Sequence, residues 1–323
     1  MQLPRVVSVI VGTRNRPDTL RDALASIRAI EGPDLTFEIL VGDNGTTPET
    51  ERVVAEFGGI YGKTDVYGCP AARNVAMQKM SGEFVTFLDD DDVWTRDNIR
   101  PQIALLDANP HFAAAFGQIL ITDQSLEPIE PAWPTEWPED NNIYLKMLSG
   151  YFPQVGATVV RGDIARECGL MDESLIGDSD WDWQLRFVRD HQVGFVPVVA
   201  VKCRARPAGS FDVLQAKRAK YTRKIFFRHA RETLARWSSP VAVAKSYYRS
   251  IEGYYYYFTD AAIDRSENSD RPSARAAFWC AFKLNPFRLI SSIIRPSALR
   301  RAFRLTFLPW AGHGALKQDK SGA

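Results

Sequence analysis

Cysteine is scarce: the 323 residues contain four, Cys69, Cys168, Cys203 and Cys280, far apart along the chain. No Cys-x-x-Cys and no Cys/His ligand spacing occurs. That excludes a disulfide scaffold and a Cys/His metal site, and leaves scattered reduced thiols. Long apolar runs are missing too. The first, Val6 to Val11, is followed at once by Thr13-Arg14-Asn15-Arg16 and does not read as a signal peptide. The longest candidate, Ala276 to Ile294, is broken by Lys283, Asn285, Pro286 and Arg288. It falls short of the roughly 18 uninterrupted apolar residues of a membrane span. The expectation is a cytoplasmic protein, free or peripheral at the inner face of the membrane. No internal repeat or low-complexity tract occurs.

Three enzyme signatures are absent as well. Gly12 stands alone after the first strand, where a dinucleotide oxidoreductase carries Gly-x-Gly-x-x-Gly. No Asp-x-Asp follows that strand, as an aspartyl-nucleophile phosphatase needs. No Gly-rich, lysine-containing loop is there either, as a nucleotidyltransferase needs.

What is present is an ordinary folded composition, 45 % hydrophobic and 24 % charged. The length suits one large α/β domain, or a catalytic domain with a smaller appendage. The net charge of +1 conceals a division: residues 1–199 sum to −15 and residues 200–323 to +16. Two regions with different partners are expected.

Apolar runs at Val6–Val11, Phe37–Val41 and Phe84–Leu88 read as buried strands, and Lys63–Tyr67 as a short one. Helical patterns follow Pro17, Pro48 and Ala71. Further along, Asn98–Leu106 and Trp181–Arg189 read as helices. Ala113–Ile121, Val155–Val160 and Val193–Val201 read as strands, and proline-rich 128–138 as a surface loop. Strands alternating with helices predict a mostly parallel sheet, with ligands beyond the carboxyl ends of its strands. Three polar clusters stand at such ends: Thr13–Arg16, Asp43–Thr46 and Asp89–Asp92. One site built from three strand ends accounts for all of them.

Four successive aspartates repel one another, at roughly 4 kcal/mol per close pair for an effective dielectric of 20. A divalent cation would offset that, and carboxylates suit Mg²⁺ or Mn²⁺. The alternative is a solvated acidic turn in which Asp92 or Thr95 caps the next helix.

These segments resemble the inverting family-two glycosyltransferases, which have the GT-A fold. The likeness is carried by Val6–Pro17, by Glu38–Thr46, by Ala71–Asn74 with Ser81–Trp94, and by Gly169–Leu175 with Asp180–Arg186. It covers residues 5–212, in matching order. It implies a Rossmann-like, mostly parallel α/β sheet flanked by helices, with a C-terminal helical extension. The catalytic domain would span 1–212, with a nucleotide-sugar half near 1–110 and an acceptor half near 111–212, and a basic helical region would span 213–323. The resemblance further implies a nucleotide-sugar donor, most often a UDP-sugar, and Mn²⁺ or Mg²⁺ as cofactor. The acceptor would be a glycan, a lipid-linked sugar or a small molecule. Thr13, Arg14 and Arg16 would line the nucleotide with Asp43, Arg73, Asp89 and Asp90. Asp91 would be the metal ligand, Asp92 its neighbour and Asp180 the catalytic base, with Asp182 the competing position.

Two departures matter. Ser179 stands where the family often has Glu before the base. Arg206 stands where many members place a histidine metal ligand, and it would bind diphosphate oxygens instead. The Gln-x-x-Arg-Trp signature of processive synthases is absent. A non-catalytic sugar-nucleotide-binding relic is the alternative, opposed by intact Asp91 and Asp180.

The basic end reads as helical. Ala244, Tyr247, Tyr248, Ile251, Tyr254, Tyr255, Phe258 and Ala262 form one aromatic face, suited to core packing or a homo-oligomer seam. Leu299, Phe303 and Phe307, beside Arg300, Arg301 and Arg304, suit either an anionic membrane surface or a core-facing helix. No motif supports a nucleic-acid partner.

Overall fold

A computed structural model describes residues 4–138, 143–151, 153–205, 213–236 and 239–308, with backbone only for 213–219 and 236. The chain forms two compact units: residues 1–147 with 151–205, and residues 148–150 with 206–323.

The first unit is built on eight strands: β1 (Arg5–Thr13), β2 (Leu35–Asp43), β3 (Ile60–Lys63), β4 (Phe84–Asp89), β5 (Val93–Trp94), β6 (Phe112–Thr122), β7 (Thr158–Arg161) and β8 (Gln192–Arg204). Its helices are α1 (Pro17–Arg28), α2 (Glu49–Glu56), α3 (Cys69–Met77), α4 (Arg100–Ala108), α5 (Tyr144–Leu148), α6 (Gly162–Cys168) and α7 (Ser179–Val188). The strands join one sheet in the order β3-β2-β1-β4-β7-β6-β8-β5. The first four are parallel, while β7 runs antiparallel between β4 and β6.

Strands buried on both faces need continuous apolar runs, and β1 supplies Val7, Val9, Ile10 and Val11, all fully buried. Pro17 opens α1, whose fixed φ suits a first helical turn. Leu20, Leu24 and Ile27 then fall on one face and are fully buried, each contributing roughly 1.5–3 kcal/mol. The register brings three strand ends to one edge: Thr13 pairs with Asp43, and Gly12 with Asp89.

Two strands differ from the sequence pattern. The short third strand lies at Ile60–Lys63, ahead of the expected Lys63–Tyr67. Pairing with Leu40–Asp43 fixes it there, and residues beyond Lys63 turn toward α3. Val155–Ala157 is a 3-10 turn leading into β7 rather than strand.

The second unit is helical: α8 (Val213–Arg236), α9 (Pro240–Glu267), α10 (Arg271–Leu284), α11 (Pro286–Ile294) and α12 (Ala298–Phe307). Ser239, Asp270, Asn285 and Ser297 cap the last four, each side chain accepting from an amide three residues on. The aromatic face of α9 divides. Tyr255, Phe258 and Ala262 join a core with Phe278, Leu284, Leu289 and Leu299, while Tyr248 is exposed. Leu299 is buried, and Phe303 packs its ring at 5.5 Å from Phe278. Of the two readings of α12, its Leu299–Phe303 face is the core-facing one. No helix among the described residues is long and apolar enough to cross a membrane.

Candidate active site

The site sits on three parallel strand ends held at close range by α3. Gly42, the residue before the last of β2, has no side chain, and a Cβ there would lie 1.8 Å from the Ala72 carbonyl oxygen. This close approach seats α3 on the sheet and directs Arg73 and Asn74 inward. At the end of β1, Asn15 takes a left-handed backbone (φ 55°), which asparagine tolerates. Its side-chain oxygen accepts from the Thr46 amide (2.6 Å), the Thr47 amide (3.1 Å) and the Thr47 hydroxyl (2.9 Å). The loops after β1 and β2 are thereby fastened together.

Each candidate residue has a defined place. Thr13 is buried and donates to Asp90 at 2.6 Å. The Arg14 guanidinium lies 4.6 Å from the centre of the Tyr67 ring. Asp43 is buried and accepts from the Gly45 amide (2.6 Å) and the Tyr61 hydroxyl (3.0 Å). Arg16 bridges two aspartates, bonding Asp91 and reaching Asp90 at 3.1 Å. Arg73 is buried and bonds Asp89. Asp89 also accepts from Gln154 at 3.2 Å. Arg206 lies outside the described residues.

Carboxylate oxygens of Asp89, Asp91 and Asp92 lie within 4.8 Å of one another. The donor set is all hard oxygen, which fits Mg²⁺ or Mn²⁺. Charge crowding is visible in the acids themselves. Burial, then the charges of Asp89 and Asp91, push Asp92 well above the usual carboxylate range. Burial raises Asp90 to about 7, against the opposing pull of Arg16 and the Thr13 hydroxyl. Burial works to deprotonate Arg73, yet neighbouring acidic groups, Asp89 and Asp180 among them, hold it above its ordinary value. A divalent cation among these acids would relieve the same repulsion.

Asp180 lies in the first turn of α7 and accepts from the Trp181 amide at 2.9 Å. Asp182, the competing position, is fully buried in an ion pair with Arg186 at 2.6 Å, whereas Asp180 keeps contact with solvent. Two fully buried tryptophans fix α7. Trp181 donates its indole N–H to the Met147 carbonyl, and Trp183 donates to that of Gly169, both at 2.9 Å. The Trp183 ring meets Phe87 of β4 edge-on at 5.1 Å. From α3, Asn74 clasps the backbone of Met171, accepting from its amide (2.9 Å) and donating to its carbonyl (3.0 Å).

Two participants carry no sequence signal. Gln154 reaches Asp89 because it precedes β7, the antiparallel neighbour of β4. Arg204, at the end of β8, offers its amide to Asp92 at 3.0 Å and its guanidinium to the Asp91 carbonyl at 2.7 Å. Asp92 belongs to the carboxylate cluster as closely as Asp91 does.

Comparison with known proteins agrees with this geometry. An uncharacterized glycosyltransferase of Rickettsia typhi is 27 % identical over 209 residues, 63 % of this chain and 65 % of that protein. The chain thus spans less than two thirds of that relative. The poly(ribitol-phosphate) β-N-acetylglucosaminyltransferase TarS of Staphylococcus aureus is 30 % identical over 106 residues, 31 % of this chain and 18 % of TarS. The structure of TarS residues 1–349 with UDP-GlcNAc superposes with a TM-score of 0.58 at 18 % identity, covering 93 % of this chain and 88 % of that one. A mannosyltransferase from Pyrobaculum calidifontis, solved with GDP-Man and Mn²⁺, gives 0.54 at 16 % identity, over 96 % of this chain and 83 % of that one. The GT-A-type α/β architecture is shared with both. Residues 8–165 match the family described as Glycosyl transferase family 2. That match begins within β1 and ends beyond β7, so it takes in all three strand ends of the acidic site, and it supports reading this part of the chain as a family 2 glycosyltransferase domain.

Proposed function

We propose that the protein is a metal-dependent inverting glycosyltransferase. It moves a sugar, of hexosyl type, from a nucleotide sugar to an acceptor hydroxyl in the assembly of a cell-surface glycan or glycolipid. The observation that carries this reading is the carboxylate cluster of Asp89, Asp91 and Asp92 at the end of β4, beside the ends of β1 and β2. The relatives use nucleotide sugars, and the UDP-GlcNAc bound to TarS favours a UDP-sugar here. The name of TarS gives poly(ribitol-phosphate) as its acceptor, which favours a polymeric acceptor here. The donor side of the reaction belongs in the cytoplasm, where nucleotide sugars are made.

Thr13, Arg14 and Asp43 form the side for base and ribose, with Asp89 held toward the ribose by Arg73 and Gln154. Asp91, with Asp92 beside it, would hold Mn²⁺ or Mg²⁺, which neutralises charge on the departing nucleoside diphosphate. Arg16 is half exposed and can exchange Asp91 for a diphosphate oxygen. Asp90 tethers the aspartate run to Thr13. Asp180 takes the acceptor proton as the hydroxyl attacks the anomeric carbon from the face opposite the leaving group. Direct displacement inverts that carbon, with no covalent enzyme intermediate.

The test is release of nucleoside diphosphate from a panel of nucleotide sugars, with Mn²⁺, with Mg²⁺ and with chelator. Metal-dependent release from one donor is the expected result. Tight donor binding with no release from any donor, with acceptor extracts present, would overturn the catalytic reading in favour of a binding relic.

A further inference from the structure

Residues 285–308 contain five arginines, Arg288, Arg295, Arg300, Arg301 and Arg304, and no acidic residue. Within this segment α11 is seated on the helical core by Leu289. Its other face carries Phe287, Ile290 and Ile294, which are 85 %, 48 % and 69 % exposed. Spacings of three and four place them in one line along the helix. A single exposed apolar residue is ordinary, but a stripe of three large ones on a nine-residue helix is not. Just upstream, exposed Trp279 and Phe282 stack with ring centres 5.5 Å apart, and the Lys283 ammonium stands 5.5 Å from the Trp279 ring. Tryptophan favours the depth at which a membrane changes from headgroup to acyl chain.

Downstream of α11, Ser297, Arg300, Arg301 and Arg304 help line a pocket of about 420 Å³. Arg301 is paired with Glu267 at 2.5 Å. Among the described residues no carboxylate faces Arg295, Arg300 or Arg304. The planar fork of each guanidinium suits a phosphate.

We propose that α11, the start of α12 and the exposed end of α10 form a docking surface for an anionic phospholipid bilayer. Phe287, Ile290 and Ile294 enter the boundary between headgroups and acyl chains, and Arg295, Arg300 and Arg304 hold lipid phosphates. Charge selects this occupant. A second copy would bring five further arginines against the first five, with no acid in the segment to receive them. A soluble polyanion would satisfy the arginines and leave the apolar stripe in water. The surface lies wholly within the helical unit, so the proposal stands independently of the glycosyltransferase reading.

The experiment is co-sedimentation of the full chain with vesicles of phosphatidylcholine, alone or mixed with phosphatidylglycerol, across a salt series. Binding is expected only to the mixed vesicles, weakening as salt rises. The double variant Arg300→Gln/Arg304→Gln should partition roughly 25-fold less, at about fivefold per cation near an anionic surface. Phe287→Ser/Ile294→Ser should also lose binding, with every charge kept. These side chains are on the surface, so unfolding midpoints and donor hydrolysis should match the parent protein. The proposal is overturned if the intact protein ignores mixed vesicles at low salt, or if Phe287→Ser/Ile294→Ser binds them as well as the parent. It fails equally if the parent is a dimer that this variant makes monomeric, or if the protein binds soluble polyphosphate but no vesicle.

Discussion

Replacing Gly42 by alanine tests whether the tight contact between α3 and β2 sets the site. The added methyl would lie 1.8 Å from the Ala72 carbonyl oxygen and 2.7 Å from its carbon, whereas ordinary contact begins at 3.4 Å. Backbone, not a flexible side chain, blocks it, so α3 must move by more than 1 Å or β2 must bend. Overpacking of this kind costs about 1–3 kcal/mol. The displaced helix carries Arg73, and a shift of that size breaks its charged bond to Asp89, worth about 1.5–3 kcal/mol more. We therefore expect Gly42→Ala to lose roughly 2.5–6 kcal/mol on unfolding by denaturant, summed from those two effects. Nucleoside diphosphate affinity should fall at the same time, measured by calorimetry on the still-folded protein at low temperature. A variant within 1 kcal/mol of the parent, with unchanged affinity, would refute the argument that α3 is held at contact distance by this glycine.

Three further outcomes follow from the acidic site. Asp91→Ala should abolish metal-dependent UDP binding and keep the fold, and calorimetry with Mn²⁺ present or chelated reads this directly. Asp180→Asn should bind donor normally and slow transfer by about 10²–10⁴-fold; transfer surviving there but lost in Asp182→Asn would move the base by two positions. The folded-state value of Asp90, about 7, lies above its unfolded value near 4, so the native state binds the extra proton between those limits. In chelator, stability should therefore be greatest below pH 4 as far as this group is concerned, and should decline as pH rises toward 7. Thermal midpoints at pH 5 and pH 8 should differ less in Asp90→Asn than in the parent.

The strands that build the site are legible because each is largely buried on both faces and so is written as a mostly apolar run, interrupted only by Ser8, Glu38 and Thr86. The clusters after Val11, Val41 and Leu88 could be placed together from the parallel-sheet rule alone. The third strand lies a few residues ahead of its pattern, because at a sheet edge the pairing with Leu40–Asp43 decides, not composition. Arg16 and Arg73 read as nucleotide contacts, and in the ligand-free protein they are counter-ions of Asp91 and Asp89. Pattern reading finds charged residues near a site but not their partners there. Gln154 and Arg204 escape pattern reading for a related reason: they arrive from the turn before β7 and from the end of β8, far away in sequence.

The clasp made by Asn74 bears on how this protein can diversify. Both of its bonds to residue 171 are to main-chain atoms, so they are indifferent to the side chain carried there. Together with the Trp183 indole on the Gly169 carbonyl and the Arg186 guanidinium on that of Leu170, one amide 97 positions away in sequence thus helps to set the path of the loop ahead of α7. Leu170, on the surface of that loop, can mutate without releasing it. Substitutions there are free to alter what the loop presents to an incoming molecule while α7 and Asp180 stay where they are. A lineage could in this way change the surface of this loop with the backbone beneath it left intact.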